Sequence, residues 1–186
     1  KTVLITGSQG LLGRTYVDTV IDNGGKVIAC DISGFDEIEN DAKPYLVSKK
    51  YKNLVYYLCD ITNESNVKKM FNNLGKLNFL PNSLINNAAR NPKLENIDNK
   101  KGFFRLENFS LEEFKLDLEV SLIGSFLCSK YLYINAIKNN ISKINIINIS
   151  SDLGIISPDQ RLYSKDELNP NNDAPVKPIS YSICKH

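Results

Sequence analysis

Tryptophan is absent from this 186-residue chain, methionine and histidine occur once each, and arginine occurs only four times. Four cysteines, Cys30, Cys59, Cys128 and Cys184, lie far apart with no C-x-x-C pair. With His186 as the sole imidazole, neither a zinc site nor a disulfide framework is expected, and a reducing cytoplasm is the expected compartment. Basic and acidic residues nearly balance, 23 against 21, and no like-charge block is long enough to track a phosphate backbone. Nucleic acid is therefore not an expected partner. An uninterrupted apolar run of membrane-spanning length is also lacking. The most apolar helical stretch, Leu122 to Ile137, is broken by Ser125, Ser129, Lys130 and Asn135, so no membrane span is expected. An apolar strand follows Lys1 at once, which reads as no room for a signal peptide, and both ends look cropped. Internal repeats and low-complexity tracts are missing too.

What is present is a composition of 42% hydrophobic and 24% charged residues. That balance predicts one globular domain over 1–186. Asn, Ile and Lys supply 62 of the 186 residues, a bias of base composition rather than of chemistry. Val3, Leu4 and Ile5 form a strand that ends in Thr6-Gly7, and Leu12, Tyr16 and Val20 then recur at helical spacing up to Asn23-Gly24-Gly25. Lys26 to Asp31 and Leu54 to Leu58 read as two further strands, with a weakly patterned stretch from Ser33 to Asn53 between them. Val67, Met70, Phe71 and Leu74 predict an amphipathic helix before Gly75. Ser83 to Ile85 predicts a fourth strand, and Lys143 to Ile149 a fifth. Between these two, Ser110 and Glu113 have capping-box spacing ahead of a long helix towards Asn139. Alternating strands and helices imply an α/β fold, a Rossmann-like doubly wound parallel sheet with helices on both faces and ligands at the carboxyl ends of the strands. Asp152 to Ile179 reads as an irregular insertion loop, too long for a mere connection.

Three motifs carry chemistry. Thr6-Gly7-Ser8-Gln9-Gly10-Leu11-Leu12-Gly13 has G-x-x-G-x-x-G spacing between a strand and a helix, where glycines let backbone approach a pyrophosphate at a helix N-terminus. Asp31 ends the second strand 24 residues beyond Gly7. A carboxylate there accepts from both ribose hydroxyls and repels a 2′-phosphate, which favours NAD over NADP, although Arg14 and Ser8 nearby leave room for a phosphate. Tyr181 and Lys185 stand at i and i+4, on one face of a helix and about 5–6 Å apart at Cβ. An ammonium beside a phenol stabilises its anion and suits it to general acid/base work.

Together with Asn148-Ile149-Ser150-Ser151 at the end of the fifth strand, these motifs resemble the short-chain dehydrogenase/reductase family. The resemblance also rests on Asp60-Ile61-Thr62 and on Asn86-Asn87-Ala88-Ala89. It implies NAD(P)-dependent oxidoreduction, with Asp60, Ile61, Asn87, Ala88 and Ala89 joining the glycine turn in holding the cofactor. Tyr181 is then the acid/base, Lys185 holds the nicotinamide ribose, and Ser151 hydrogen-bonds the reacting oxygen. Ser121 occupies the place of an asparagine that in the family anchors a water of a proton relay. More narrowly, Ile149 to Gly154, Pro158 to Tyr163, Lys177-Pro178 and Tyr181 to His186 resemble the flagellin modification protein A type, associated with bacterial surface-sugar pathways. The chain stops one residue after Lys185, so the family's remaining strands and substrate lobe are expected to be missing. The family also implies a homo-oligomer packed through its long helices, which the apolar face of Leu111 to Ile137 would suit, although that face equally suits packing within one chain.

Three of the four arginines, Arg90, Arg105 and Arg161, fall in loops expected above the carboxyl edge of the sheet. Guanidinium groups bind carboxylates and phosphates in a bidentate way. One or more of them, with Asp152, is expected to contact a sugar-like substrate; ordinary loop ion pairs are the alternative. His186 reads as peripheral, and Cys184 as a packed small side chain. The favoured reading is hydride transfer between a nicotinamide and a carbinol carbon. Two rivals remain: sugar epimerisation or dehydration with tightly held NAD, which the G-x-x-G-x-x-G spacing suits, and a non-catalytic dinucleotide-binding regulator.

Overall fold

A computed structural model describes residues 1–35, 44–90, 104–163 and 176–186. They form two units, one of residues 1–88 with 123–149 and one of 89–122 with 150–186. The predicted insertion loop thus lies partly outside the described residues, over 164–175, as does 36–43 of the weakly patterned stretch.

In the first unit, β1 (Thr2–Thr6) is an unbroken apolar run because both of its faces are covered, with Leu4 and Ile5 fully buried. Next, α1 (Leu11–Asp22) ends at Asn23, and the chain reverses through Gly24 at φ +72°. Then come β2 (Lys26–Asp31), β3 (Tyr45–Val47) and β4 (Leu54–Leu58). Asn63 caps α2 (Glu64–Lys76) by accepting from the Asn66 N–H at 3.2 Å. The unit continues with β5 (Ser83–Asn86), a helix over Gly124–Lys138, and β6 (Asn145–Asn148). The six strands lie in the order β3-β4-β2-β1-β5-β6.

All pairings are parallel except β3 with β4. The expected Rossmann-like parallel sheet is thus present, with one short antiparallel edge strand, β3, added to it. A three-residue edge strand leaves almost no periodic signal, and Tyr45 is fixed instead by stacking on Tyr57, with ring centroids 5.9 Å apart. Two boundaries also shift. Gly75 lies inside α2, whose end is marked by Asn78 at φ +57°, and β6 is shorter than the predicted 143–149. Helices cover both faces as expected. Val67, Met70, Phe71 and Leu74 of α2 share one core with Leu127, Cys128 and Leu132, while Val17 of α1 packs with Val3, Ile5 and Val27 on the other face.

In the second unit, α3 (Leu111–Leu118) begins at Ser110, whose hydroxyl accepts from the Glu113 N–H at 3.2 Å, half of the predicted capping box. One wide π turn, Glu119–Ile123, separates α3 from α4 (Gly124–Lys138). The predicted long helix is thus present over Leu111–Lys138, with one π turn inside it. Two 3₁₀ turns, Asp152–Gly154 and Gln160–Tyr163, precede α5 (Ile179–Lys185).

By length and composition the helical stretch Leu111–Lys138 is long and apolar enough to cross a bilayer, with a mean hydropathy of 1.3 in its most apolar window. Leu127, Cys128 and Leu132 are nevertheless buried against α2 and the sheet, as in a core helix.

Phe71 is fully buried and stacks on Tyr131 at 6.2 Å. Phe71→Ala is expected to lower stability by about 3–5 kcal/mol, read as a shift in the urea midpoint at unchanged m.

Candidate functional site

Strand order reverses beside β1, with β2 on one side and β5 on the other. Such a switch point opens a crevice at the carboxyl ends of the strands. Thr6 ends β1 there, and its hydroxyl accepts the N–H groups of both Asn87 and Ala88 at 3.1 Å. In return the Asn87 amide donates to the carbonyls of Thr6 and Gly7. A Cβ on Gly7, which has φ +64°, would lie 2.8 Å from the Ala88 Cα, and one on Gly13 would lie 2.1 Å from the Gly7 oxygen. The turn is therefore closed by backbone contact that only glycine permits.

Gly10 caps α1 without a side chain, and the first turn of the helix holds no acid. The initial N–H donors of α1, from Leu11 onward, are thus left for an anion. Asp31 stands beside this turn, its carboxylate accepting from Gln9 N–H and Ile32 N–H at 2.8 Å each. Each of its oxygens keeps a lone pair for a further donor. Asp60 is tied into its own loop by Thr62, and Ile61 is buried against Gly124. Exposed Leu11 and Ile32 add apolar surface near the turn. A glycine cradle, unused helix donors and an adjacent carboxylate fit a dinucleotide. Among the described residues no cluster of His, Cys, Asp or Glu could hold a metal ion.

The second unit carries Ala89, Arg90, Arg105, Ser121, Ser151, Asp152, Arg161, Tyr181 and Lys185. Lys185, one turn beyond Tyr181, is buried, and this burial lowers its pKa. Its backbone is pinned: Ser150 Oγ donates to the Lys185 carbonyl, and Gly154 packs so closely that a Cβ there would collide with that carbonyl. Ser151 caps the 3₁₀ turn, donating to Asp152 at 2.9 Å and accepting from the Leu153 N–H. Ser121 sits in the π turn, and the Cys184 thiol donates to the Asp117 carbonyl at 3.4 Å. His186 is exposed and contacts the Gly154 carbonyl.

Each loop arginine is held by an acid. Arg90 bridges Glu113 at 2.9 Å and Asp117 at 3.1 Å, Arg105 meets Glu107, and Arg161 grips Asp159 at 2.6 Å. Asp159 is held down at about 2 by hydrogen bonds from Arg161.

Sequence reasoning missed Asp117. It is buried in α3 and accepts from Ser180 Oγ at 2.5 Å, immediately before Tyr181. No local signal marks it, because its partners Ser180 and Arg90 lie far away in the sequence. It missed Lys177 as well, whose ammonium lies 3.7 Å from the centroid of the Tyr181 ring. The spacing Lys177, Tyr181, Lys185, four residues and four again, was visible.

The family described as short chain dehydrogenase matches over residues 1–164. The chain belongs to that family. It is 27% identical over 157 residues to the 2,5-dichloro-2,5-cyclohexadiene-1,4-diol dehydrogenase of Sphingobium indicum, covering 84% of this chain and 56% of the relative. To the L-fucose dehydrogenase of Bos taurus it is 26% identical over 160 residues, covering 86% and 52%. The chain thus spans about half the length of these curated relatives. A solved short chain dehydrogenase from Leptospira borgpetersenii with bound NAD+ superposes with a TM-score of 0.71 at 26% identity, covering all of this chain and 60% of that one.

Two substitutions test the geometry. Gly13→Ala, forced against the Gly7 carbonyl, is expected to cost about 1–3 kcal/mol in urea unfolding. Asp117→Ala strips Ser180 and Arg90 of a shared acceptor and is expected to cost about 2 kcal/mol or more in the same assay, with Asp117→Asn recovering part of the loss.

Proposed function

We propose that this chain supplies the cofactor-binding and acid/base residues of an oxidoreductase that prefers NAD over NADP and moves a hydride between the nicotinamide and a carbinol carbon. The observation that carries the reading is the Asp31 carboxylate set against the glycine turn through Gln9 N–H, in a chain that also places Lys185 one turn from Tyr181. When bound, the dinucleotide would accept or return the hydride.

The chain's own residues do the rest. Thr6 to Gly13 hold the pyrophosphate with backbone donors and the N-terminus of α1. Asp31 accepts from the ribose hydroxyls and its charge disfavours a 2′-phosphate. As the phenolate that the Lys185 ammonium stabilises, Tyr181 takes the alcohol proton at its phenolic oxygen, and as the phenol it returns that proton in the reverse direction. Ser151 turns its hydroxyl from Asp152 to the reacting oxygen, where with Tyr181 it stabilises developing negative charge. Ser121 belongs to the proton path.

We take the substrate to be a sugar-like alcohol of the bacterial surface-glycan or flagellin-modification kind. The run from Ile149 to Gly154 and the segments around Pro158 to Tyr163 and Lys177 to His186 support this choice, as does the relation to a fucose dehydrogenase. Phe126, Tyr133 and Ile137, exposed on one side of α4, support self-association.

In a nicotinamide fluorescence titration NADH is expected to bind at least about tenfold more tightly than NADPH, and Asp31→Ala should erase the difference. Equal affinities would remove the role of Asp31. Tyr181→Phe is expected to cut turnover by about 10²–10⁴ while leaving NADH binding in place. Accumulation of NADH during turnover separates a dehydrogenase from an epimerase that retains its cofactor.

A further inference from the structure

Between the 3₁₀ turn at Gln160 and the start of α5 lies a cavity of about 390 Å³ within the second unit. Its wall includes Phe104, Arg105, Ser157, Gln160, Lys177 and Ser182. Arg105 brings little net charge, because Glu107 sits on its Nε at 3.1 Å. Lys177 differs. Among the described residues no carboxylate forms an ion pair with it, and its ammonium rests only against the ring of Tyr181.

The position of Lys177 is fixed by its backbone. Gln160 presents its carboxamide to this residue as a second strand would: Nε2 donates to the Lys177 carbonyl at 3.2 Å, and Oε1 accepts from the Lys177 N–H at 2.9 Å. The residue cannot drift from the cavity without breaking both bonds. Burial, and then repulsion from Lys185, lowers the Lys177 pKa. A half-buried cation that no carboxylate of the described residues pairs with, and that a second cation repels, is a costly arrangement that an incoming anion would relieve.

We propose that Lys177 is a specificity-determining residue that receives an anionic group of the substrate, a carboxylate or a phosphate, in this cavity beside Tyr181. The inference rests on the oxidoreductase reading and narrows its substrate to acidic or phosphorylated alcohols. Because the Lys177 ammonium touches the Tyr181 ring, an anion held by it would orient the carbinol for reaction as well as add affinity. A purely structural cation–π contact would instead affect neutral and charged ligands alike.

The test is calorimetric titration of the full chain, with and without NADH, using glucose, glucuronate and glucose 6-phosphate as probes. At least one charged probe is expected to bind about tenfold or more tightly than glucose, and which one does so separates carboxylate from phosphate recognition. Lys177→Met should abolish that preference and leave glucose unchanged, while Lys177→Arg should keep it; thermal melts of both variants confirm that they fold. Equal affinity for charged and neutral probes, no measurable binding of either charged probe, or a preference that survives Lys177→Met overturns the proposal. Nicotinamide fluorescence on the same samples reads the cofactor separately. A protein with Lys177-dependent anion preference but no dinucleotide binding defeats the oxidoreductase reading alone.

Discussion

The approach of backbone to backbone at the end of β1 is the constraint on which the first unit depends. Gly13 must meet the Gly7 carbonyl, and Gly7 must meet Ala88, before α1 can leave the sheet at its observed angle. Four hydrogen bonds join Thr6 and Gly7 to Asn87 and Ala88 across the same point, so β1 and β5 end in one locked corner. The apolar strands and the α2 and α4 side chains that bury them set stability, but this corner sets where a ligand's charge can be met. Asp31 is tied to this corner through the N–H of Gln9, which the turn brings to its carboxylate.

Much of this was legible in the sequence because backbone necessity and side-chain identity coincide there. A glycine at φ +64° next to an apolar run, followed by residues at four-fold spacing, describes strand, turn and helix without reference to the rest of the chain. Val67, Met70, Phe71 and Leu74 predicted the buried face of α2 for the same reason. The sequence was silent where the cause is distant. Three residues of β3 pair antiparallel because Tyr57 offers Tyr45 a ring, and nothing local to residues 45–47 says so. The π turn at Glu119–Ile123 was likewise hidden, since one extra residue in a turn leaves the apolar pattern on either side intact.

Site residues divide along the same line. Tyr181 and Lys185 are visible as a pair one helical turn apart. Their support is not, because it comes from Asp117 through Ser180, from Ser150, and from the close packing of Gly154, all remote in sequence. The arginines show the opposite. Their scarcity suggested ligand binding, while the structure gives each of the three loop arginines a carboxylate, in two cases only two residues away in the chain. Lys177, one of many lysines, drew no notice by composition, and only its place over the Tyr181 ring sets it apart.

The Gln160 clasp has an evolutionary corollary. By closing the base of the segment it brackets, two hydrogen bonds separate the length of that segment from the placement of Lys177. Doubling a loop costs only about 0.6 kcal/mol in closure entropy. Descendant sequences are therefore free to vary the length between these two residues, as long as glutamine and lysine keep their grip on each other.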